Sequence, residues 1–290
     1  MGEALFRGVA TALVTPFSCG EVDYSAFDAL IEKQISARVG ALVIGGTTGE
    51  VSCLNSYERE RLYSFAVEKI AGRVPVILGT GSNSTGTAEE LTKLGAELGA
   101  DGALAVTPYY NKGTEQGMLK HYLSLAECSR LPIIIYNVPS RTNVNISLDN
   151  LSILAEHENI VGIKEASDSS ERLVSVCALS DKITVYSGND ATAYSALSLG
   201  GSGVISVVSN LYPECVRDIT DMYFSGRRDE ALSLQMSLLP LIRAMFCEVN
   251  PVPIKYAMSL LGLCKDEVRL PLTPPTEANR RLIEKTVLRK

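Results

Sequence analysis

"PIIIYNVP", residues 132–139, sets three isoleucines in a row between two prolines. A strand with one wet face alternates apolar and polar residues. This run does not alternate, so it reads as a strand buried on both faces, as in a parallel sheet covered by helices. Seven other runs share its character: "GVATALVTPF" (8–17), "ALVIGG" (41–46), "PVILGTG" (75–81), "GALAVTP" (102–108), "IVGIKEAS" (160–167), "ITVYSGND" (183–190) and "GVISVVSN" (203–210). They recur at intervals of roughly 20 to 35 residues, room for one strand and one helix each. Asp23, Ser84, Ser147 and Ser169 stand where helix caps are wanted. Eight consecutive βα units predict an α/β fold, a closed (β/α)8 TIM barrel. An eight-stranded doubly wound sheet is the alternative, but no GxGxxG follows the first run.

After the eighth unit, residues 213–247, 252–263 and 276–288 read as helical, with no linker setting them apart. The expected division is a catalytic barrel over 1–224 and a helical extension packed on it over 225–290.

The 290 residues are 46% hydrophobic with a net charge of −6, so a large core is available and no basic stripe suggests a nucleic-acid partner. No apolar run approaches a membrane span, and the N-terminus lacks the pattern of a signal peptide. Position 6 is Phe6, which disfavours myristoylation. The seven cysteines are scattered without CxxC spacing, as expected of reduced thiols in a cytoplasmic protein.

Lys164 is the only lysine in the eight runs. In a barrel, chemistry sits at the C-terminal ends of the strands, where Lys164 falls. By alternation Gly162, Lys164 and Ala166 share the inward face, and Val161, Ile163 and Glu165 face the helices. Small inward neighbours would leave room for a ligand. Burial lowers a lysine's pKa from about 10.4 towards neutrality, and a neutral amine attacks carbonyls to form a Schiff base. The bland alternative is a lysine paired with a barrel carboxylate. Other strand ends add "GGTTGE" (45–50), whose glycines and successive N–H groups suit a small carboxylate, and "TPYYN" (107–111). "YNVPSR" (136–141) brings Tyr136 and a lone Arg141. A phenol relays protons and a guanidinium holds a carboxylate. Metal catalysis usually wants several histidines; His121 and His157 are the only two, both in helical patterns. No metal or other cofactor is expected.

"GGTTGE", "TPYYNK", "YNVPSRT", "IVGIKEAS", "SGND", "GVISVVSN" and "NPVPIK" (250–255) appear in an order that resembles the class I pyruvate-dependent aldolases. This is the family of dihydrodipicolinate synthase and N-acetylneuraminate lyase. The Thr-Thr pair and Arg141 are similar to the synthase rather than to the sugar-acid lyases. The resemblance implies that Lys164 forms an imine with pyruvate and that the backbone at Thr47 and Thr48 holds the pyruvate carboxylate. It assigns a hydroxyl relay to Tyr136, Thr48 and Tyr110, with Tyr110 reaching in from a neighbouring subunit. Arg141 would anchor the carboxylate of aspartate semialdehyde, and Gly188 and Ile205 would line the pocket through their backbone. The product implied is 4-hydroxy-tetrahydrodipicolinate, in lysine and diaminopimelate biosynthesis, and the assembly a tetramer built as a dimer of dimers. A sister aldolase for a keto-sugar acid or a hydroxyproline-derived acid, and an inactive binding protein on the same fold, are the rivals. Feedback by L-lysine is also implied for sensitive members, at a subunit interface. Ser56, Arg59 and Thr87 occupy positions where histidines and a glutamate would stand, while Asn83 and Tyr109 are retained. Weak or absent inhibition is expected, with Glu89 the carboxylate that a shifted helix start would bring in.

Overall fold

The protein is described by a computed structural model over residues 4–288. Eight parallel strands close into a barrel: β1 (Gly8–Ala12), β4 (Ala41–Ile44), β5 (Val76–Gly79), β6 (Gly102–Val106), β7 (Ile133–Asn137), β8 (Ile160–Glu165), β9 (Thr184–Ser187) and β10 (Gly203–Ser206). β10 pairs with β1 to complete the ring. A short hairpin, β2 (Phe17–Ser18) with β3 (Glu21–Val22), follows β1. Each predicted apolar run contains one barrel strand.

Helices α1 (Tyr24–Ser36), α2 (Ser56–Ile70), α3 (Thr85–Glu97), α4 (Glu115–Cys128), α5 (Pro139–Thr142), α6 (Leu148–Leu154), α7 (Ser170–Cys177), α8 (Ala193–Ser198) and α9 (Pro213–Phe224) connect and cover the strands. Asp23, Ser84, Ser147 and Ser169 cap α1, α3, α6 and α7, each side chain accepting a backbone N–H of the first turn. The segment 213–247, read as one helical stretch, is two helices. Gly226, at φ +86, turns the chain between α9 and α10 (Arg228–Met245). The helices α11 (Val252–Leu260) and α12 (Glu277–Val287) follow.

The core has two layers. Ala10, Ala12, Val43, Leu104, Ile134, Tyr136, Tyr186 and Ile205 fill the barrel interior. Outside it, Ile133, Ile135 and Ile163 pack under α4, α6 and α7. Burying each such side chain contributes about 1.5–3 kcal/mol. Leu241, Met245, Ile254, Met258 and Ile283 of α10–α12 join one apolar cluster with Val9, Leu13 and Phe27, so the last helices share the barrel's core.

One expectation fails at β8. Its register against β7 steps from Ile133↔Ile160 to Ile134↔Gly162, so Val161 is an extra, bulged residue. Val161 therefore packs against the inner cluster, not towards the helices. Beyond the bulge alternation resumes, and Gly162 and Lys164 face inward as expected. The space over Gly162 is not left for a ligand: a Cβ there would lie 3.2 Å from the Tyr186 ring.

Candidate active site

The β7–β8 register places Tyr136 directly beside Lys164, and both side chains are buried at the C-terminal end of the barrel. The Lys164 Nζ lies 4.3 Å from the centre of the Tyr136 ring. Gly188, after β9, allows the lysine to pass: a Cβ there would stand 3.1 Å from Lys164 Cε and 2.6 Å from Ala166 Cβ. Burial pulls the Lys164 pKa down to about 8; the Asp190 carboxylate works against that shift and Arg141 with it. Among the described residues Lys164 makes no ion pair. Lys255 shows the contrast. It is equally buried, but its Nζ sits 2.6 Å from Glu50. The bland alternative thus describes Lys255 and not Lys164.

Above Lys164 is a cavity of about 350 Å³ lined by Thr47, Thr48, Tyr136, Arg141, Lys164 and Gly188. Gly45, at φ +66, turns the chain out of β4 into the single helical turn Thr47–Gly49. The first N–H groups of such a turn have no partner within it. Those of Thr47 and Thr48 donate to no other protein group among the described residues. Two free N–H groups at the cavity wall make a seat for a carboxylate.

The Thr48 hydroxyl is already engaged, accepting from Asn250 Nδ2 at 2.9 Å. Thr47 is a hydroxyl neighbour of the Tyr136 phenol. Burial raises the phenol's pKa, while the Arg141 charge and hydrogen bonding from Thr47 lower it. Arg141, on α5, donates to the Asn250 carbonyl at 3.1 Å and lines the cavity. Ile205 is buried in the inner apolar cluster and its side chain does not line the cavity; Val207 does. Tyr110 is 91% exposed, at φ +68, and stands outside this cavity.

Residues the sequence reading left without a role also gather here. Asn250 comes from the quoted "NPVPIK". Asp190 comes from "SGND" and lies buried behind Gly188, its carboxylate held by the Ser206 hydroxyl and the N–H groups of Val207 (2.9 Å) and Val208 (3.3 Å). Burial raises the Asp190 pKa, and these hydrogen bonds and Lys164 oppose the rise. Arg243 of α10 and Phe246, its C-cap, reach the cavity, where an amphipathic pattern gives no hint of it. A second cavity of about 320 Å³ adjoins the first through Thr47 and Arg141; Arg59, Thr87 and Tyr109 line it. No cluster of three or more His, Cys, Asp or Glu able to hold a metal occurs among the described residues, and no helix is long and apolar enough to cross a membrane.

A buried, unpaired lysine beside a tyrosine and a carboxylate seat is the equipment of imine chemistry. The dihydrodipicolinate synthetase family model matches residues 5–290. The chain belongs to that family. The 4-hydroxy-tetrahydrodipicolinate synthase of Geotalea daltonii is 48% identical over 277 residues, covering 95% of this chain and 96% of that protein. The crystal structure of dihydrodipicolinate synthase from Thermotoga maritima superposes with a TM-score of 0.95 at 42% identity, covering 98% of each chain. That of the Cyanidioschyzon merolae protein with lysine bound gives 0.95 at 37% identity, covering 99% and 98%.

Proposed function

We propose that the protein is a 4-hydroxy-tetrahydrodipicolinate synthase, a lyase that condenses pyruvate with L-aspartate 4-semialdehyde in lysine and diaminopimelate biosynthesis. The observation that carries this reading is Lys164, buried beside Tyr136 without an ion pair among the described residues, in a cavity that also presents two N–H groups free among those residues and Arg141. The neutral Lys164 amine adds to the ketone of pyruvate and loses water as the imine forms. The pyruvate carboxylate rests on the N–H groups of Thr47 and Thr48. Loss of a methyl proton gives the enamine, whose carbon attacks the aldehyde; the aldehyde oxygen takes up a proton and becomes the 4-hydroxyl. Arg141 holds the second carboxylate. The substrate's own amine then displaces Lys164 and closes the ring, which regenerates the enzyme.

Tyr136 moves these protons, with Thr47 as its hydroxyl neighbour. The Thr48 hydroxyl accepts from Asn250 and keeps its own proton to donate within the relay. Tyr110 completes the relay in the site of a second copy, which its exposure and its absence from its own cavity support. A homotetramer, a dimer of dimers, provides that copy. Gly188 and the backbone at Ile205 complete the pocket. The reaction needs no cofactor beyond the imine, and its setting is the cytoplasm.

The test is borohydride reduction in the presence of pyruvate, followed by peptide mass spectrometry. A stable adduct on Lys164 is expected; an unmodified Lys164 would remove the basis of the proposal.

A further inference from the structure

We propose that the segment from Asn250 to Lys255, in the C-terminal extension, is a positioning element of the active site, holding the carboxylate seat and Arg141 in one geometry. The proposal rests on the reading of those two groups as substrate anchors.

Lys255 has no solvent exposure, and its Nζ lies 2.6 Å from Glu50 Oε1. The other Glu50 oxygen accepts the backbone N–H of Arg269 at 3.0 Å. The Phe17 ring packs against both cations, 4.2 Å from Lys255 Nζ and 4.4 Å from the Arg269 guanidinium. Glu50 ends the turn whose N–H groups form the seat, and it does so at φ +51, a left-handed conformation that favours glycine. Such a residue persists when its surroundings over-determine it. Here the ion pair, the Arg269 bond and complete burial do so.

A buried ion pair is a poor source of stability, since an apolar pair of the same shape often serves as well. Its use is geometric. Five residues before Lys255, Asn250 binds the same turn through Nδ2 to Thr48, and its carbonyl accepts from Arg141. One short segment therefore grips the turn twice and Arg141 once. Glu50 and Lys255 do not line the cavity, so they act through the turn.

The experiment titrates pyruvate against borohydride-trapped adduct and records Tm and the steady-state constants for wild type, Lys255→Met, Glu50→Gln/Lys255→Met and Asn250→Ala. Lys255→Met strands a buried carboxylate, so Tm falls and half-saturating pyruvate rises. The double variant removes both charges, so Tm recovers. Its half-saturation stays about tenfold above wild type or more, because a small displacement of an anchor is costly even where the fold survives. Asn250→Ala raises the pyruvate half-saturation and the KM for the aldehyde together, with kcat changed less. A double variant that regains wild-type pyruvate affinity along with its Tm would reduce the pair to a structural one and overturn the proposal. So would an Asn250→Ala protein with both constants unchanged. If Lys255→Met does not fold, the other two variants carry the test. Wild-type protein that traps no pyruvate would instead overturn the aldolase reading itself, and this proposal with it.

Discussion

Lys164 and Lys255 are both buried, and the difference between them is one carboxylate. Glu50 neutralises Lys255, whereas Lys164 faces a cavity with its pKa at about 8. The neutral amine is the attacking form, so the rate of imine formation should rise with pH through a midpoint near 8. Rapid-quench trapping with pyruvate between pH 6 and 10 reads this directly; a flat profile would disconnect the lysine from the step. Lys164→Ala should trap nothing and turn over almost nothing. Lys164→Arg should fail alike, because a guanidinium stays protonated. We assign Arg141 to the second substrate. Arg141→Ala should cost aspartate semialdehyde about ten- to a hundredfold in kcat/KM, the worth of a charge-assisted hydrogen bond of about 1.5–3 kcal/mol. The pyruvate half-saturation should change much less, and equal losses for both substrates would refute the assignment.

Among the elements, α3 and α4 decide two properties. Thr87 of α3 lines the second cavity, whereas Glu89 turns to the Ser124 hydroxyl of α4 and does not reach it. Arg59 of α2 lines the same cavity, while Ser56 is exposed outside it. Among the described residues lining it, a cationic ligand meets the guanidiniums of Arg59 and Arg141 and no carboxylate. L-Lysine should therefore inhibit weakly or not at all; half-inhibition below about 1 mM at saturating pyruvate, equivalent to roughly 4 kcal/mol of binding, would contradict this reading. Between the same helices lies His121, its Nδ1 3.0 Å from the Thr85 hydroxyl and its Nε2 without a partner among the described residues. Burial drops its pKa to about 4, against which the Glu89 charge works. The unfolded chain takes up this proton near pH 6.5 and the folded chain only near 4, so acid favours unfolding across that window. The loss amounts to on the order of 3 kcal/mol by pH 4. His121→Asn should lose less stability than wild type between pH 7 and 4.5 in urea titrations. Parallel losses would show that the histidine is not the cause.

At the scale of the whole molecule, the chain's own cavity lacks the phenol of Tyr110. If a second copy supplies it, Tyr110→Phe should slow turnover while the pyruvate imine still forms. Mixing Tyr110→Phe with Lys164→Ala subunits should then restore part of the activity. Mixed oligomers without any recovery would place Tyr110 within its own site or outside catalysis. How far these features could be read beforehand follows from where the information lies. The barrel was legible because each barrel strand is buried on both faces and α1, α2, α3, α4, α6 and α7 each start at a side-chain cap, both local properties of the chain. Lys164 was legible because a lysine inside an apolar run conflicts with its surroundings whatever the fold. Its neighbours were a different matter. The bulge that turns Val161 inward depends on the pairing of β7 with β8. Asn250 meets Thr48, and Lys255 meets Glu50, across more than 200 residues of chain. Sequence by itself determined the elements, their order and the reactive amine, since those follow from local burial pattern and chemistry. Only the tertiary structure decided what holds the Thr48 hydroxyl, which lysine keeps a counter-ion and what Arg141 meets, because closing the barrel brings remote residues within a hydrogen bond's reach.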